Sequence, residues 1–267
     1  MRVALLAPTD RSLYSRLIAW RVAEQKNLEL CAVVSRNMWS WRRLRGELRR
    51  DGPRLLDKIY RKLVLGERDP HTKSAQTLSA LAEKSGLPYT RLRALCRDLD
   101  VPYQVAPDHN HPAAELLLRE AQPDVIAFTG GGLIRQNILD LPTMGVLNCH
   151  AGLLPRYRGM DVVEWAILEA EDEMPQIGIT LHFMDRGVDT GPIVKTHSMS
   201  IRPGDDLDSL RARFLPAMVE LMLGGLTGLQ EGSLEPSPQN PDDGRQYFVM
   251  HPRLRKAASD QIKSIML

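Results

Sequence analysis

The stretch Val125-Ile126-Ala127-Phe128-Thr129-Gly130-Gly131-Gly132 predicts a buried strand that ends in a glycine turn. A continuous apolar run of this length is typical of a parallel strand that is covered on both faces. Similar runs, several of them separated by helical patterns, lie at residues 3–7, 28–34, 102–105 and 145–148. Strands that alternate with helices predict an α/β fold with a Rossmann-like, mostly parallel twisted sheet. Ligands of such sheets bind at the carboxyl ends of the strands, so the turns after residues 128 and 148 are the candidate site.

The remaining elements follow from side-chain periodicity. Ser12 is the expected N-cap of the helix predicted at residues 12–25. Asp205 or Asp206 is expected near the N-cap of the helix predicted at residues 205–223. Alternating side chains at residues 177–184, together with residues 193–201, predict a hairpin, and an edge strand is expected at 247–250. The helices are predicted at residues 12–25, 112–120, 161–169, 205–223 and 254–265.

Residues 37–98 interrupt the alternation of strands and helices. Apolar spacing there predicts helices around residues 41–63, 74–82 and 89–99, so we interpret the segment as a helical insertion. We expect a main domain at residues 1–204, and a C-terminal helix and tail at residues 205–267 that pack on the same domain.

Composition narrows the class of protein. No apolar run reaches the ~20 residues of a membrane span, and the apolar N-terminal stretch is too short for a signal peptide. Cys31, Cys96 and Cys149 are too few and too scattered for a disulfide framework or a zinc site. We interpret Cys149, next to His150, as a buried thiol and not as a nucleophile. These observations predict a cytoplasmic protein without a metal.

Charge is concentrated in one segment. Residues 36–62 hold ten basic and three acidic residues, so this segment carries +7 while the whole chain carries +2. Concentrated positive charge favours an anionic partner, and we predict that the segment from Arg36 to Lys62 contacts a phosphate group. The alternative interpretation is a helix face that contacts only solvent.

Three polar side chains with complementary chemistry follow the predicted strands. A neutral imidazole such as His150 can accept a proton near pH 7, and the amide of Asn148 can donate a hydrogen bond to a developing oxyanion. One such donor is worth roughly 3–4 kcal/mol. The carboxylate of Asp189 can orient the imidazole. Taken singly, an Asn-x-His pair indicates turn chemistry and an Asp-x-Gly sequence a hairpin turn.

Taken together, these residues resemble a known family. The stretch Asn148-Cys149-His150-Ala151-Gly152-Leu153-Leu154-Pro155-Arg156-Tyr157-Arg158-Gly159 resembles the signature of the folate-dependent formyltransferases, and residues 179–193 resemble its second half. The resemblance runs from about residue 125 to residue 201. It implies that Asn148 is the oxyanion donor, His150 the acid/base residue and Asp189 the catalytic carboxylate. Gly152 stands where the family often has serine, which bears on a minor hydrogen bond of the loop and not on the chemistry.

The resemblance also implies N10-formyltetrahydrofolate as co-substrate, bound between the glycine turn and the loop at residues 185–189. Glycines allow backbone groups to approach a flat pterin closely. No Gly-x-Gly-x-x-Gly follows the first strand, which argues against a nicotinamide cofactor. The residues expected at the folate pocket are Gly130, Gly131, Gly132, Leu133, Ile134, Val146, Asp185 and Val188.

Several further residues keep two interpretations open. His182 either faces the cavity or bonds to a neighbouring residue. Arg156 and Arg158 either bind a substrate phosphate or hold their own loop through backbone hydrogen bonds. The sequence His109-Asn110-His111 is typical of some metal sites, but without further ligands a solvent-exposed loop is the preferred interpretation.

The family includes enzymes for three classes of amine acceptor, and each is a candidate for this chain. Glycinamide ribonucleotide formyltransferases carry a glycine-rich phosphate loop after the first strand, and residues 8–13 lack those glycines. Initiator-tRNA formyltransferases carry a C-terminal β-domain, for which we expect no room after residue 201. We predict transfer to a primary amine of a small substrate, above all a nucleotide-linked amino sugar whose diphosphate would meet the basic segment. The alternatives are an amino acid such as hydroxyornithine, an aminoacyl-tRNA, hydrolysis of formyl-folate and, least of all, a non-catalytic folate-binding module.

Overall fold

The computed structural model describes residues 1–37, 72–170 and 173–265. The helix predicted around residues 41–63 and most of the basic segment lie outside the described residues. Two helices of the predicted insertion lie within them. In chain order the helices are α1 (Leu13–Ala23), α2 (Thr72–Lys84), α3 (Leu92–Asp98), α4 (Pro112–Ala121), α5 (Gln136–Leu139), α6 (Val162–Leu168), α7 (Leu207–Gln230) and α8 (Pro252–Ile265).

The described strands are β1 (Arg2–Ala7), β2 (Glu29–Arg36), β3 (Tyr103–Ala106), β4 (Val125–Phe128), β5 (Gly145–His150), β6 (Tyr157–Gly159), β7 (Ile177–Phe183), β8 (Ile193–Met199) and β9 (Arg245–Tyr247). Seven of them form one sheet in the order β3-β2-β1-β4-β5-β7-β8. Strands β1 to β5 run parallel, and β7 and β8 form the predicted antiparallel hairpin. The mostly parallel α/β fold predicted from the sequence is therefore confirmed.

Side-chain alternation along the strands builds a core on each face of the sheet. Leu147 of β5 belongs to the larger core, which includes α1, α6 and α7. Val146 belongs to the smaller one, which α4 covers. Because alternate residues share a face, Asn148 and His150 continue the face of Val146. The polar residues therefore lie beyond the end of the smaller core, where β5 leaves the sheet.

Two predicted caps are present. The Ser12 side chain accepts a hydrogen bond from the backbone of Ser15 at the start of α1. Asp206 and Ser209 form a capping box at the start of α7. Each cap satisfies backbone N–H groups that a helix leaves without intrahelical partners.

Helix α7 extends beyond its predicted end at residue 223 and reaches Gln230. The glycine pair at 224–225 resembles a stop signal, but Gly225 packs against the Leu181 side chain, where a side chain of its own would clash. Leu226 and Leu229 continue the buried face. By length and composition α7 could also cross a membrane, contrary to the expectation from the sequence. Because 56% of its 18-residue apolar stretch is buried inside the protein, we interpret α7 as a core helix.

The C-terminal edge strand differs from the prediction. It covers Arg245–Tyr247, not residues 247–250, and it pairs in parallel with β6, which the sequence did not predict. A side chain at Gly159 would clash with the Tyr247 carbonyl, so this pairing requires glycine. The Tyr157 and Tyr247 rings pack with their centroids 5.5 Å apart. This small sheet fixes the segment that follows the Leu-Leu-Pro sequence.

The loop at residues 109–111 was predicted to be exposed, and for His109 that is wrong. The His109 side chain is 1% exposed, and its Nε2 donates to the Ala7 carbonyl over 3.0 Å. Asn110 Nδ2 donates to the Leu133 carbonyl over 2.9 Å. His111 is exposed and caps α4. His109 is buried because its ring bonds to the Ala7 carbonyl and lies against Gly131 of the glycine turn.

Candidate active site

Asn148 and His150 lie at the carboxyl end of β5, which runs to His150, beyond its predicted end at residue 148. Their side chains share one face of the strand. In the antiparallel pairing of β5 with β7, Asn148 lies opposite His182 and His150 lies opposite Thr180. The register of two strands therefore places a second imidazole beside the predicted pair.

Asp189 lies in the loop between β7 and β8 and faces both imidazoles. Its Oδ2 is 3.4 Å from His150 Nδ1, and its Oδ1 is 3.5 Å from His182 Nε2. The Gly159 N–H donates to Oδ2 over 2.9 Å. Asp189 has a φ of 54°, a left-handed conformation that aspartate adopts more readily than most residues. The structure thus brings Asn148, His150 and Asp189 together, as the sequence resemblance implies.

The hydrogen bond from His150 to Tyr157 identifies which ring nitrogen carries the proton. His150 Nε2 is 2.9 Å from the Tyr157 carbonyl oxygen. A carbonyl only accepts hydrogen bonds, so Nε2 is the protonated nitrogen of the neutral ring. Nδ1 then has a lone pair, and it is this nitrogen that faces Asp189.

His182 bonds to neighbouring residues, the second of the two interpretations that the sequence left open, and it also contacts Asp189. Its Nδ1 donates to the Phe183 carbonyl over 2.8 Å, so its Nε2 is an acceptor in the neutral ring. Asn148 Nδ2 donates to that Nε2 over 3.2 Å. The His182 side chain is 1% exposed, and it connects the amide to the Asp189 carboxylate.

Burial and charge set the protonation of this cluster. Burial lowers the pKa of His150 below 6.5, against the opposing effects of the Asp189 charge and the Tyr157 carbonyl. Burial alone would raise the pKa of Asp189. The contacts with His182, His150 and the Gly159 N–H outweigh burial and hold that pKa below 3.8. Near neutral pH the cluster therefore contains an ionised Asp189 beside a neutral His150.

Cys149 lies between the two polar residues of β5 but on the opposite face. Its thiol is buried in the larger core, and burial raises its pKa far above the ordinary range. It has none of the features of a nucleophile, as predicted. Within residues 1–37, 72–170 and 173–265, no group of three or more His, Cys, Asp or Glu side chains is arranged to hold a metal ion.

The glycine turn after β4 adopts positive φ at all three positions, 113°, 120° and 105° at Gly130, Gly131 and Gly132. The Arg36 guanidinium donates to the Gly131 carbonyl. Beyond the turn, Leu133 is 80% exposed. Two other residues expected at the folate pocket, Ile134 and Val146, are buried in the smaller core.

The loop that contains Asp189 is held by its own side chains. Asp185 Oδ1 accepts hydrogen bonds from the Gly187 N–H over 3.0 Å and from Thr190 Oγ1 over 2.6 Å. Arg186 Nε donates to Gln136 Oε1 over 2.6 Å, which ties this loop to the segment after the glycine turn. Val188 is 37% exposed. The two loops expected to enclose folate are thus neighbours.

Arg156 and Arg158 show contacts within the protein. The exposed Arg156 guanidinium lies over the Tyr157 ring, 5.3 Å from its centroid. Arg158 Nη2 donates to the Gly244 carbonyl over 3.1 Å. These contacts agree with the loop-holding interpretation, and substrate binding by either residue stays a prediction.

A cleft rich in arginine lies at the carboxyl ends of β1, β2 and β3, and sequence reasoning missed it. Its volume is about 590 Å³. Asp10 is the one carboxylate among its described lining residues, and it accepts hydrogen bonds from the Tyr103 hydroxyl and the Arg93 N–H, both over 2.9 Å. The guanidinium groups come from three separate elements, so no local sequence pattern reveals them. They belong to Arg11, Arg36, Arg91 and Arg93.

The fold is that of an α/β protein, and its polar cluster of an amide, two imidazoles and a carboxylate lies at the carboxyl edge of the sheet. The chain belongs to the formyl transferase family, because the sequence model of that family matches residues 64–224, more than half of the chain.

Individual proteins are similar to the chain in sequence or in fold. The chain is 40% identical to a methionyl-tRNA formyltransferase of Pelobacter propionicus over 124 residues, which cover 46% of this chain and 38% of that protein. It therefore matches less than half the length of this relative. Its fold is similar to that of a phosphoribosylglycinamide formyltransferase from Bacillus halodurans, with a TM-score of 0.54 and 19% identity over 87% of this chain and 97% of that one. A sugar N-formyltransferase from a Shewanella species gives a TM-score of 0.57 with 11% identity over 98% and 87%.

Proposed function

We propose that this protein transfers a formyl group from N10-formyltetrahydrofolate to the primary amine of a small substrate. The observation that carries the proposal is the position of Asp189, which contacts one nitrogen of each imidazole, next to the amide of Asn148. Residues 1–204 would form the catalytic domain, with residues 205–267 packed on it. Cytoplasmic localisation remains part of the proposal.

In this mechanism His150 accepts the proton of the amine. The amine nitrogen attacks the formyl carbon, a carbon–nitrogen bond forms, and the bond to folate N10 later breaks. His150 Nδ1 is the available base, because Nε2 already donates to the Tyr157 carbonyl. The positive charge of the resulting imidazolium would lie beside the Asp189 carboxylate. The ring then returns a proton to the departing folate nitrogen.

Asn148 would stabilise the oxygen of the tetrahedral intermediate. A side-chain amide carries two N–H bonds, so Asn148 can hold His182 with one and offer the other to the oxyanion. Because His182 is itself fixed by the Phe183 carbonyl, the amide is oriented before the reaction begins. Such a fixed donor needs no reorganisation in the transition state.

The two neighbouring loops fit a flat folate ring. The glycine turn exposes backbone groups to close approach, and Leu133 and Val188 offer exposed apolar side chains on the two loops. The bond between Arg186 and Gln136 holds the loops together. In this proposal the backbone of Gly130–Gly132 binds the pterin, and Asp185 preserves the shape of the opposite loop.

For the acceptor we propose an amino sugar linked to a nucleotide. The arginine-lined cleft offers four guanidinium groups against one carboxylate, which suits a diphosphate. Arg36 lines this cleft and also contacts Gly131, so the cleft lies next to the proposed folate site. The likeness to a methionyl-tRNA formyltransferase favours an aminoacyl-tRNA as the second candidate.

The test is release of tetrahydrofolate from N10-formyltetrahydrofolate with different amines. Nucleotide-linked amino sugars, hydroxyornithine and methionyl-tRNA are compared with a reaction that contains no amine. Turnover that requires an amino-sugar nucleotide would support the full proposal. Turnover without any amine would indicate a hydrolase, and the absence of turnover despite folate binding would indicate a binding module.

A further inference from the structure

The Gln239 side chain bonds to the backbone of the loop that carries Asp189. Its Nε2 donates to the Asp189 carbonyl over 3.1 Å and to the Gly191 carbonyl over 2.5 Å. A side-chain amide has two N–H bonds, so these two carbonyls use both of them. One amide group therefore ties the carbonyl of Asp189 to that of Gly191, two residues further along the chain.

Gly191 is the fixed end of this link. A β-carbon on Gly191 would clash with the Phe183 carbonyl, so the Gly191 backbone lies directly against the end of β7. The carbonyl of the next residue, Pro192, accepts a hydrogen bond from the Phe183 N–H over 2.9 Å. Because Gly191 is held against a strand of the main sheet, the amide that it shares with Asp189 restrains the Asp189 carbonyl.

The segment that carries Gln239 is itself paired on both sides. Ser237 and Ile193 exchange two backbone hydrogen bonds, each over 2.8 Å, at the start of β8. Further along the chain, β9 pairs with β6. Gln239 lies between these two anchors, so its amide reaches the loop from a segment that is attached to both sheets.

Asp189 needs such restraints because its backbone conformation is unfavourable. Its φ of 54° lies in the left-handed region, which costs energy for residues other than glycine and persists only where surrounding contacts hold it. The Gly159 N–H holds the carboxylate at Oδ2, and Gln239 holds the backbone carbonyl of the same residue. The two bonds together fix the direction in which the Asp189 side chain points.

We propose that Gln239 is a positioning residue for Asp189. By holding the carbonyl next to the left-handed Cα, it keeps the carboxylate 3.4 Å from His150 Nδ1. Gln239 lies beyond residues 64–224, which the sequence model of the family matches, and beyond residues 1–204, the proposed catalytic domain. The catalytic consequence rests on the proposed formyl transfer, whereas the position of the carboxylate does not depend on it.

The first test uses NMR on the unchanged protein and needs no substrate. The side-chain amide protons of Gln239 are both bonded to carbonyls, whereas Gln246 of β9 is exposed. We expect the Gln239 side-chain protons to exchange with solvent at least about tenfold more slowly than those of Gln246. Equal exchange rates would show that the link to the loop does not persist in solution and would overturn the proposal.

The second test compares crystal structures of Gln239→Ala, Gln239→Glu and the matched control Gln246→Ala. The glutamate keeps the size of the side chain, but an ionised carboxylate cannot donate to either carbonyl. We expect the Asp189 carboxylate to move by about 1 Å in both Gln239 variants, the displacement that costs about 100-fold in rate. In Gln246→Ala it should not move. An unmoved carboxylate in the Gln239 variants would overturn the proposal even if no amine is ever formylated.

Kinetics separate this role from a general loosening of the loop. The folate side of the loop is held by the bonds of Asp185 to Gly187 and Thr190, which do not involve Gln239. We therefore expect kcat of both Gln239 variants to fall about 100-fold while the KM for folate stays within about twofold. A rise of the folate KM with unchanged kcat would assign the effect to the folate site and contradict the proposal.

A double variant tests whether Gln239 acts through the Asp189 carboxylate. In an Asp189→Asn background the charge that Gln239 positions is already gone, so adding Gln239→Ala should lower kcat by no more than about twofold. Two losses that multiply would show that Gln239 acts elsewhere and would overturn the proposal. If the Gln239 variants do not fold, the exchange measurement on the unchanged protein decides.

Discussion

The backbone N–H of Gly159 donates a hydrogen bond to the carboxylate of Asp189 over 2.9 Å, across thirty residues of sequence. Gly159 is in turn paired with Tyr247 in the small β6–β9 sheet. The carboxylate that faces both imidazoles is therefore positioned by a strand outside the main sheet.

Asp189→Asn tests the role of the negative charge. The side chain keeps its size but can no longer stabilise an imidazolium at His150, so we expect kcat/KM to fall about 10³-fold. The melting temperature and folate binding serve as the controls. A loss of less than about tenfold would contradict a role for this charge in proton transfer.

Asn148→Ala removes the proposed oxyanion donor. Loss of one such donor costs about 10²–10³ in kcat, and we expect a loss of this size with folate binding retained. Asn148→Asp keeps the shape but replaces the donor, so it should be equally slow. Near-normal turnover in either variant would exclude Asn148 from this role.

The pH profile reports the protonation of His150. Burial lowers its pKa below 6.5, and the neutral ring is the active base, so kcat/KM should fall with acid at a midpoint below 6.5. The measurement is kcat/KM between pH 4.5 and pH 8, taken together with a stability control at each pH. A midpoint above 6.5 would contradict the buried, neutral imidazole.

His109 makes stability depend on pH. Burial lowers its pKa to about 4, partly opposed by the Ala7 carbonyl and reinforced by Arg36. Between pH 4 and pH 6.5 the unfolded chain binds more protons, so the free energy of unfolding rises with pH there. The shift from 6.5 corresponds to about 3 kcal/mol. In urea titrations, the free energy of unfolding of His109→Gln should depend less steeply on pH. The exposed control His111→Gln should keep the pH dependence of the unchanged protein.

The arginine-lined cleft predicts selective loss of acceptor binding. Arg11→Ala or Arg93→Ala should each raise the acceptor KM about tenfold, because each removes a charge-assisted contact worth about 1.5 kcal/mol. The KM for folate should not change. Arg119→Ala, whose side chain is 59% exposed on α4, is the control. An equal rise of the acceptor KM in all three variants would show that the effect comes from the net charge of the protein and not from the cleft.

Much of this architecture could be predicted from the sequence, and the features that could not be predicted depend on contacts between distant parts of the chain. The parallel strands are short apolar runs, and their identity follows from burial on both faces. The contact of Asn148 with His182 depends on strand register, which local periodicity does not determine. Strand β6 is three residues long, and its partner lies far downstream in the chain. The burial of His109 similarly depends on a carbonyl of β1.

The β6–β9 pairing also constrains the order of events during translation. Asn148, His150 and Asp189 are all synthesised well before β9, and β6 has no partner strand until Tyr247 has emerged from the ribosome. Until then Gly159 lacks the strand pairing that orients its N–H toward the Asp189 carboxylate. The nascent polypeptide therefore contains Asn148, His150 and Asp189 before it contains the strand that positions Asp189.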